Sequence, residues 1–220
     1  MQTPLKIYFA GDLFDAKDLG GNLLLAGAIE KVSEGRYEIL LPQDGECEVT
    51  QRSAESIRDA DFELLFESDL ILANFDGADL DSGTVAEFCF ARMLDMPCLL
   101  LRTDFRDGGD KTLPDGDPWN LMCSRYPRTK VLWLNAMTIY HDCKAQGGKK
   151  LLAERFYATL ARQVVQVLDE LVALPPRIRK EELENRFDAI CESIGGKLAE
   201  RFAGTRKEQL LQRKKSSGLY

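Results

Sequence analysis

Apolar and polar positions fall in blocks along this chain, and each block predicts an element. Lys6-Ile7-Tyr8-Phe9-Ala10 is a short β-type run that ends at Gly11. Leu24, Leu25, Ala28, Ile29 and Val32 recur at helical spacing and predict a helix over 21–33. Residues 37–41 read as a second strand, closed by Pro42. Residues 53–67 read as a helix with Ile57, Ala60, Leu64 and Leu65 on one side. Leu70-Ile71-Leu72-Ala73-Asn74 is a buried strand, and residues 84–95 are a helix. Cys98-Leu99-Leu100-Leu101 and Val131-Leu132-Trp133-Leu134 complete the strands.

Unbroken apolar strands that alternate with helices imply an α/β fold, a parallel sheet covered on both faces. Five strands suggest a flavodoxin-like doubly wound order, 2-1-3-4-5. In such sheets ligands bind beyond the carboxyl ends of the strands, at the switch point.

Residues 103–120 are polar and rich in glycine and aspartate, with Asp107-Gly108-Gly109-Asp110 and Pro114-Asp115-Gly116-Asp117-Pro118. They are a candidate lid or interface arm. A long helix over 149–173 is stopped by Pro175-Pro176, and a second, over 180–202, is weakened at Gly195-Gly196. The tail from Gly204 to Tyr220 is rich in Lys, Arg and Gln. The expected organisation is an α/β domain over 1–148 and a C-terminal helical extension with a basic tail over 149–220.

Charge refines this picture. The 220 residues are 45% hydrophobic and 30% charged, as in globular chains, and the net charge is −7. That balance argues against nucleic acid as a partner. Residues 175–220 alone carry 11 Lys/Arg against 7 Asp/Glu. A basic segment on an acidic body is able to dock on that body or on a sister subunit. No apolar run approaches the ~20 residues of a membrane span. The first residues lack the parts of a signal peptide, so a cytoplasmic location is expected. Six cysteines (Cys47, Cys89, Cys98, Cys123, Cys143, Cys191) form no C-x-x-C pair. Reduced thiols are expected, with Cys89 and Cys98 as small core residues. The single histidine, His141, excludes His-rich metal sites, and no metal or other cofactor is implied.

Gly11 and Gly20-Gly21 do not make G-x-G-x-x-G, and there is no Walker loop. Candidate chemistry lies in carboxylates at strand ends: Asp12, Asp76, Asp79, Asp81 and Glu87, with Asp61 on the preceding helix. Thr84-x-x-Glu87 reads as a capping box. Glu87 also reads as a nucleophile in the first helical turn, where the helix dipole favours the ionised carboxylate. A carboxylate committed to capping is a poorer nucleophile, so these readings compete.

Separated features then agree on one family. Ile7-Tyr8-Phe9-Ala10-Gly11 is followed by Phe14. Asp61 precedes Asp69, which opens the third strand. Asp81-Ser82-Gly83-Thr84 leads to Glu87 and then Ala91, and Pro118-Trp119-Asn120-Leu121-Met122 looks like Pro-x-Asn-Leu-Met. In order and spacing, about residues 5–140 resemble the nucleoside 2-deoxyribosyltransferases. The resemblance implies that Glu87 is the nucleophile attacking C1′ and Tyr8 the phenol orienting it. Asp61 would be the acid and base for the departing and incoming bases. Asp81 and Asn120 would hold the sugar 5′-hydroxyl, Asn120 from a neighbouring subunit. Phe14 would pack near the 2′ carbon, with Gly11 and Met122 also at the substrate. Leu13 stands where some members carry Trp. The implied ligands are 2-deoxyribonucleosides and free nucleobases, in nucleotide salvage, with self-association and no nucleic acid or membrane.

The resemblance leaves a nucleoside or nucleotide N-glycosidase on the same scaffold as the alternative. Relatives that cleave 5′-monophosphates carry a small hydroxyl residue at the position of Asp81, and a carboxylate there would repel phosphate. A non-catalytic or receiver-like ligand-binding domain fits less well, because Asp12 and Asp15 do not form a receiver's acidic pair. The basic extension is expected to pack on the core or a sister subunit without supplying a catalytic group.

Overall fold

The computed structural model describes residues 3–45, 53–106, 108–109 and 114–220. Cys47, Asp107 and Asp110 lie outside the described residues. Strand β1 (Leu5–Ala10) leads into helix α1 (Ala16–Val32) and strand β2 (Tyr37–Leu40). Helices α2 (Pro42–Gly45) and α3 (Ala54–Glu67), strand β3 (Leu70–Asn74), helix α4 (Ser82–Met93), and strands β4 (Cys98–Arg102) and β5 (Thr129–Trp133) follow. All strand pairs are parallel, in the order β2-β1-β3-β4-β5. The fold class expected from the hydrophobic pattern is the fold observed. Tyr8 aligns with Leu40 on one side and Ile71 on the other, on an inner strand of the sheet.

Helix α5 (Ala136–Ala145) is absent from the hydrophobic pattern because Cys143 is its one buried residue. It forms through its cap, in which Asn135 accepts from the Thr138 N–H at 3.0 Å. Likewise α1 starts before residue 21. Asp15 accepts from the N–H groups of Lys17 and Asp18 at 2.7 and 3.1 Å, and Gly20-Gly21 runs inside the helix. Its buried stripe is Asn22, Leu25, Ala26 and Ile29, while Leu24 faces outward.

Helix α6 (Leu152–Val172) buries Leu160, Ala161, Val164, Val165, Leu168 and Leu171, and packs beside α1 and on β4 and β5. The other sheet face is covered by α3 and α4, with α7 (Glu182–Ile194) and α8 (Leu198–Arg201) beyond them. The weak point at Gly195-Gly196 is a full break between α7 and α8, since both glycines have positive φ. Residues 205–216, read from sequence as tail, are helix α9 (Thr205–Ser216), and the chain ends with Leu219 and Tyr220 buried.

The basic segment docks on the acidic body through named pairs. Arg213 Nη1 donates to both Asp69 carboxylate oxygens at 2.8 Å. Arg128 Nη2 donates to the Leu219 carbonyl at 2.9 Å. Lys214 is fully buried with Nζ donating to the Ser68 carbonyl. Burial pushes that amine down to about 8, against the charges of Asp69 and Glu67. These anchors lie at the amino ends of β3 and β5. Among the described residues, no helix is long and apolar enough to cross a membrane.

Candidate active site

At the carboxyl edge the side chains of β1, α3 and α4 converge. Tyr8, fully buried, sends its phenol to α4, where the O–H donates to Glu87 Oε1 at 2.5 Å. Burial pushes the Glu87 carboxyl up to about 8. The Tyr8 hydrogen bond opposes that shift, and the negative charges of Asp61 and Asp81 add to it. Two carboxylates, one on α3 and one at the start of α4, therefore act electrostatically on a third.

The capping-box reading of Thr84 and Glu87 is overturned. Asp81 is the N-cap, with extended backbone, and its Oδ2 accepts from Thr84 N at 2.7 Å and Thr84 Oγ1 at 3.0 Å. The helix then begins at Ser82, and Glu87 is its sixth residue, in the second turn. The dipole effect fades beyond the first turn, so it does not ionise Glu87. What replaces it is the phenolic hydrogen bond, which favours the anion. Substituting Tyr8→Phe removes that donor. The Glu87 titration, read by carboxyl 13C shift, is expected to move up by about one unit. A downward or absent shift would show that the phenol does not hold the carboxylate.

The remaining candidates separate. Asp12 is pushed up by burial, then by Asp81 and by Asp18, Asp76 and Asp15. Asp76 is structural: it accepts from Thr103 N at 2.5 Å, Thr103 Oγ1 at 2.6 Å and Asp104 N at 2.7 Å. Asp79 is exposed. A Cβ at Gly11 would lie 3.2 Å from the Asn74 Cβ, so glycine there lets the ends of β1 and β3 approach. Phe14 and Met122 are 77% and 67% exposed. Asn120 caps a single 3-10 turn by accepting from Met122 N at 2.9 Å. That turn is seated by Trp119 on Phe75 and by Tyr126 on Phe88, the neighbour of Glu87. Tyr8, Asp61, Asp81 and Glu87 are thus brought together, whereas Phe14, Asn120 and Met122 are exposed on loops after β1 and β4. Cys89 is exposed on α4 and is no core residue, whereas Cys98 is buried as expected.

Sequence reasoning missed Arg102. It is 2% exposed, and its guanidinium donates to the carbonyls of Phe75 at 2.5 Å and Gly77 at 3.1 Å. With Asp76 it fixes the loop between β3 and α4 that delivers Asp81. The available signal was a charged residue closing the apolar run Cys98–Leu101.

Fold and site together define a doubly wound α/β protein with a tyrosine-bound carboxylate at its ligand edge. The family model described as nucleoside 2-deoxyribosyltransferase matches residues 7–122, more than half of the sequence, and this chain belongs to that family. Among solved structures, it is similar to a conserved protein from Enterococcus faecalis V583 at 22% identity, covering 83% of this chain and 99% of that one, with a TM-score of 0.44. It is also similar to a 2-deoxyribosyltransferase from Leishmania mexicana at 23% identity, covering 56% and 87%, with a TM-score of 0.45. The 2-deoxyribosyltransferase of Bacillus psychrosaccharolyticus is 21% identical over 46% of this chain and 74% of that one, with a TM-score of 0.39. No curated protein matches the chain.

Proposed function

We propose that this chain transfers 2-deoxyribose between nucleobases by double displacement through a deoxyribosyl-glutamate. The observation that carries the reading is the Tyr8–Glu87 hydrogen bond with Asp61 and Asp81 acting on the same carboxylate. Glycosyl transfer with retention needs one ionised carboxylate at the anomeric carbon and one proton donor at the leaving atom. Burial, with the charges of Asp61 and Asp81 adding to it, keeps the Glu87 carboxyl protonated toward neutral pH, so the free site carries a proton to pass on. In the productive form Glu87 is the anion and Asp61 holds the proton.

Glu87 attacks C1′ as the C1′–N bond breaks, and the base departs with the Asp61 proton. The incoming base gives its proton back to Asp61 as its nitrogen displaces Glu87. Tyr8 keeps one Glu87 oxygen engaged and orients the other. Asp81 accepts from the 5′-hydroxyl of a nucleoside, and its charge disfavours a 5′-phosphate. Asn120, from a neighbouring copy in a self-associated form, assists at that hydroxyl, and Gly11, Phe14 and Met122 shape the sugar and base pockets. The extension over 149–220 is read as structural: α6 covers the sheet of the domain over 1–148 and the helices after it pack on α3 and α4. The setting is nucleotide salvage in the cytoplasm.

The second reading, hydrolysis, keeps the same first step and lets water replace the second base. Incubating the chain with deoxyadenosine and cytosine is expected to yield deoxycytidine and adenine in equal amounts. Adenine with free deoxyribose alone would establish the hydrolase instead. No turnover of any deoxynucleoside would refute both.

A further inference from the structure

The family match ends at residue 122, yet the segment beyond α6 is fastened to α3, the helix that carries Asp61. On α3, Asp59, Glu63 and Glu67 recur at i, i+4 and i+8 and form one acidic stripe. Each is met from the C-terminal segment. Asp59, 1% exposed, accepts the Lys197 N–H on Oδ2 at 2.7 Å. Glu63 pairs with Arg201 and with Arg206, the latter at 2.6 Å, and Glu67 also pairs with Arg206. Beside the stripe, Phe66 contacts Phe187 and Phe202, with ring centroids 5.6 and 6.2 Å apart.

The approach is close enough to demand glycine. Gly196 has a φ of +63°, and a Cβ there would stand 2.4 and 2.5 Å from the Asp59 carboxylate oxygens. Asp61 is two residues from Asp59, about 200° around the helix. The clamped stripe and the candidate acid therefore occupy opposite sides of α3, and the acid's side is the one that acts on Glu87.

We infer that the segment from α7 to α9 is a brace that sets the position of α3, and that Asp59 and Gly196 are positioning residues for the acid Asp61. This rests on the reading of Asp61 as the acid. A general acid must stay within hydrogen-bond reach of the leaving nitrogen, and a displacement of about 1 Å costs up to ~100-fold. A buried carboxylate gripping a backbone N–H fixes helix register more sharply than apolar cover alone.

The test compares two donors in the full-length protein. Deoxyadenosine needs its base protonated to leave, whereas the cationic base of 7-methyl-2′-deoxyguanosine departs without an added proton. Asp59→Leu is expected to lower the single-turnover rate of base release from deoxyadenosine, followed without an acceptor base, by about tenfold, and to leave release from 7-methyl-2′-deoxyguanosine within about twofold. Asp59→Asn keeps an acceptor for Lys197 and is expected to restore transfer. Independently of turnover, the Glu87 13C titration should fall in Asp59→Leu toward its position in Asp61→Asn, because the first displaces and the second removes the Asp61 charge that acts on Glu87. If Asp59→Leu does not fold, Glu63→Gln is read in the same way, with a loss of about threefold. Equal loss on both donors, or a folded variant with an unchanged donor ratio and titration, overturns the brace. If Asp61→Asn itself shows no donor selectivity, the acid reading has failed instead.

Discussion

Glu87→Gln is expected to lower base exchange by about a thousandfold or more and, at the same time, to stabilise the folded chain above pH 8. The loss follows from removing the oxygen anion that bonds to C1′. The gain follows from linkage. Glu87 ordinarily ionises near 4.5, and in the folded chain burial raises that to about 8. Between those values the unfolded chain has released the proton while the folded chain still holds it. Stability contributed by this group is therefore complete below pH 4.5 and is lost as pH rises through 8. Glutamine never ionises, so it escapes the loss while still accepting from Tyr8. With allowance for partial exposure, the variant should gain about 2–3 kcal/mol at pH 9 and almost nothing at pH 5. That difference raises Tm by roughly 4–10 °C at pH 9 for a chain of this size. Mass spectrometry after incubation with a 2-fluoro-2-deoxynucleoside should add one sugar to the wild type and none to the variant. Near-wild-type exchange by Glu87→Gln would sink the mechanism. Equal Tm gains at pH 5 and pH 9 would show that Glu87 is not the buried acid described.

What was legible in the sequence, and what was not, follows from burial. The strands are nearly continuous apolar runs, so β3 could be read from Leu70 to Asn74 with its observed bounds. Helix starts were displaced where a polar cap, and not an apolar stripe, decides them. Asp15 and Asp81 both begin helices earlier than the apolar periodicity does. At the site, Tyr8 and Glu87 are 79 residues apart in sequence, and only the resemblance joined them before the structure supplied their contact. Asp76 looked as catalytic as Asp81, because strand-end position alone does not say whether a carboxylate meets ligand or backbone. Its three hydrogen bonds to Thr103 and Asp104 decide that. Helix α9 was illegible for another reason. Leu210 and Leu211 are too few apolar residues to make a stripe, and what holds the helix is a set of cations paired with groups about 140 residues earlier.

Those cations set the second large effect, Arg213→Ala, which should cost about 2–3 kcal/mol of stability and lower Tm by roughly 8 °C. The Asp69 side chain is 2% exposed and accepts from Arg213 Nη1 on both oxygens and from Lys6 N at 2.9 Å on Oδ2. Deleting the guanidinium leaves that carboxylate buried with one backbone donor. Arg213 also donates through Nη2 to the Glu67 carbonyl, at the end of α3, so the same change frees a helix terminus. Its own side chain is 34% exposed, which admits water to the gap and keeps the expected cost at the low end for a broken buried pair. The double variant Asp69→Asn with Arg213→Met removes both charges and should recover more than half of the loss. At 25 °C, where Arg213→Ala remains folded, exchange is expected to stay within about twofold of wild type. Asp69 opens β3 and the candidate site lies beyond that strand's far end, so the lost pair touches no reacting group. Thermal unfolding of the three chains in one buffer makes the comparison. An unchanged Tm for Arg213→Ala would mean that this ion pair does not hold the C-terminal helix down.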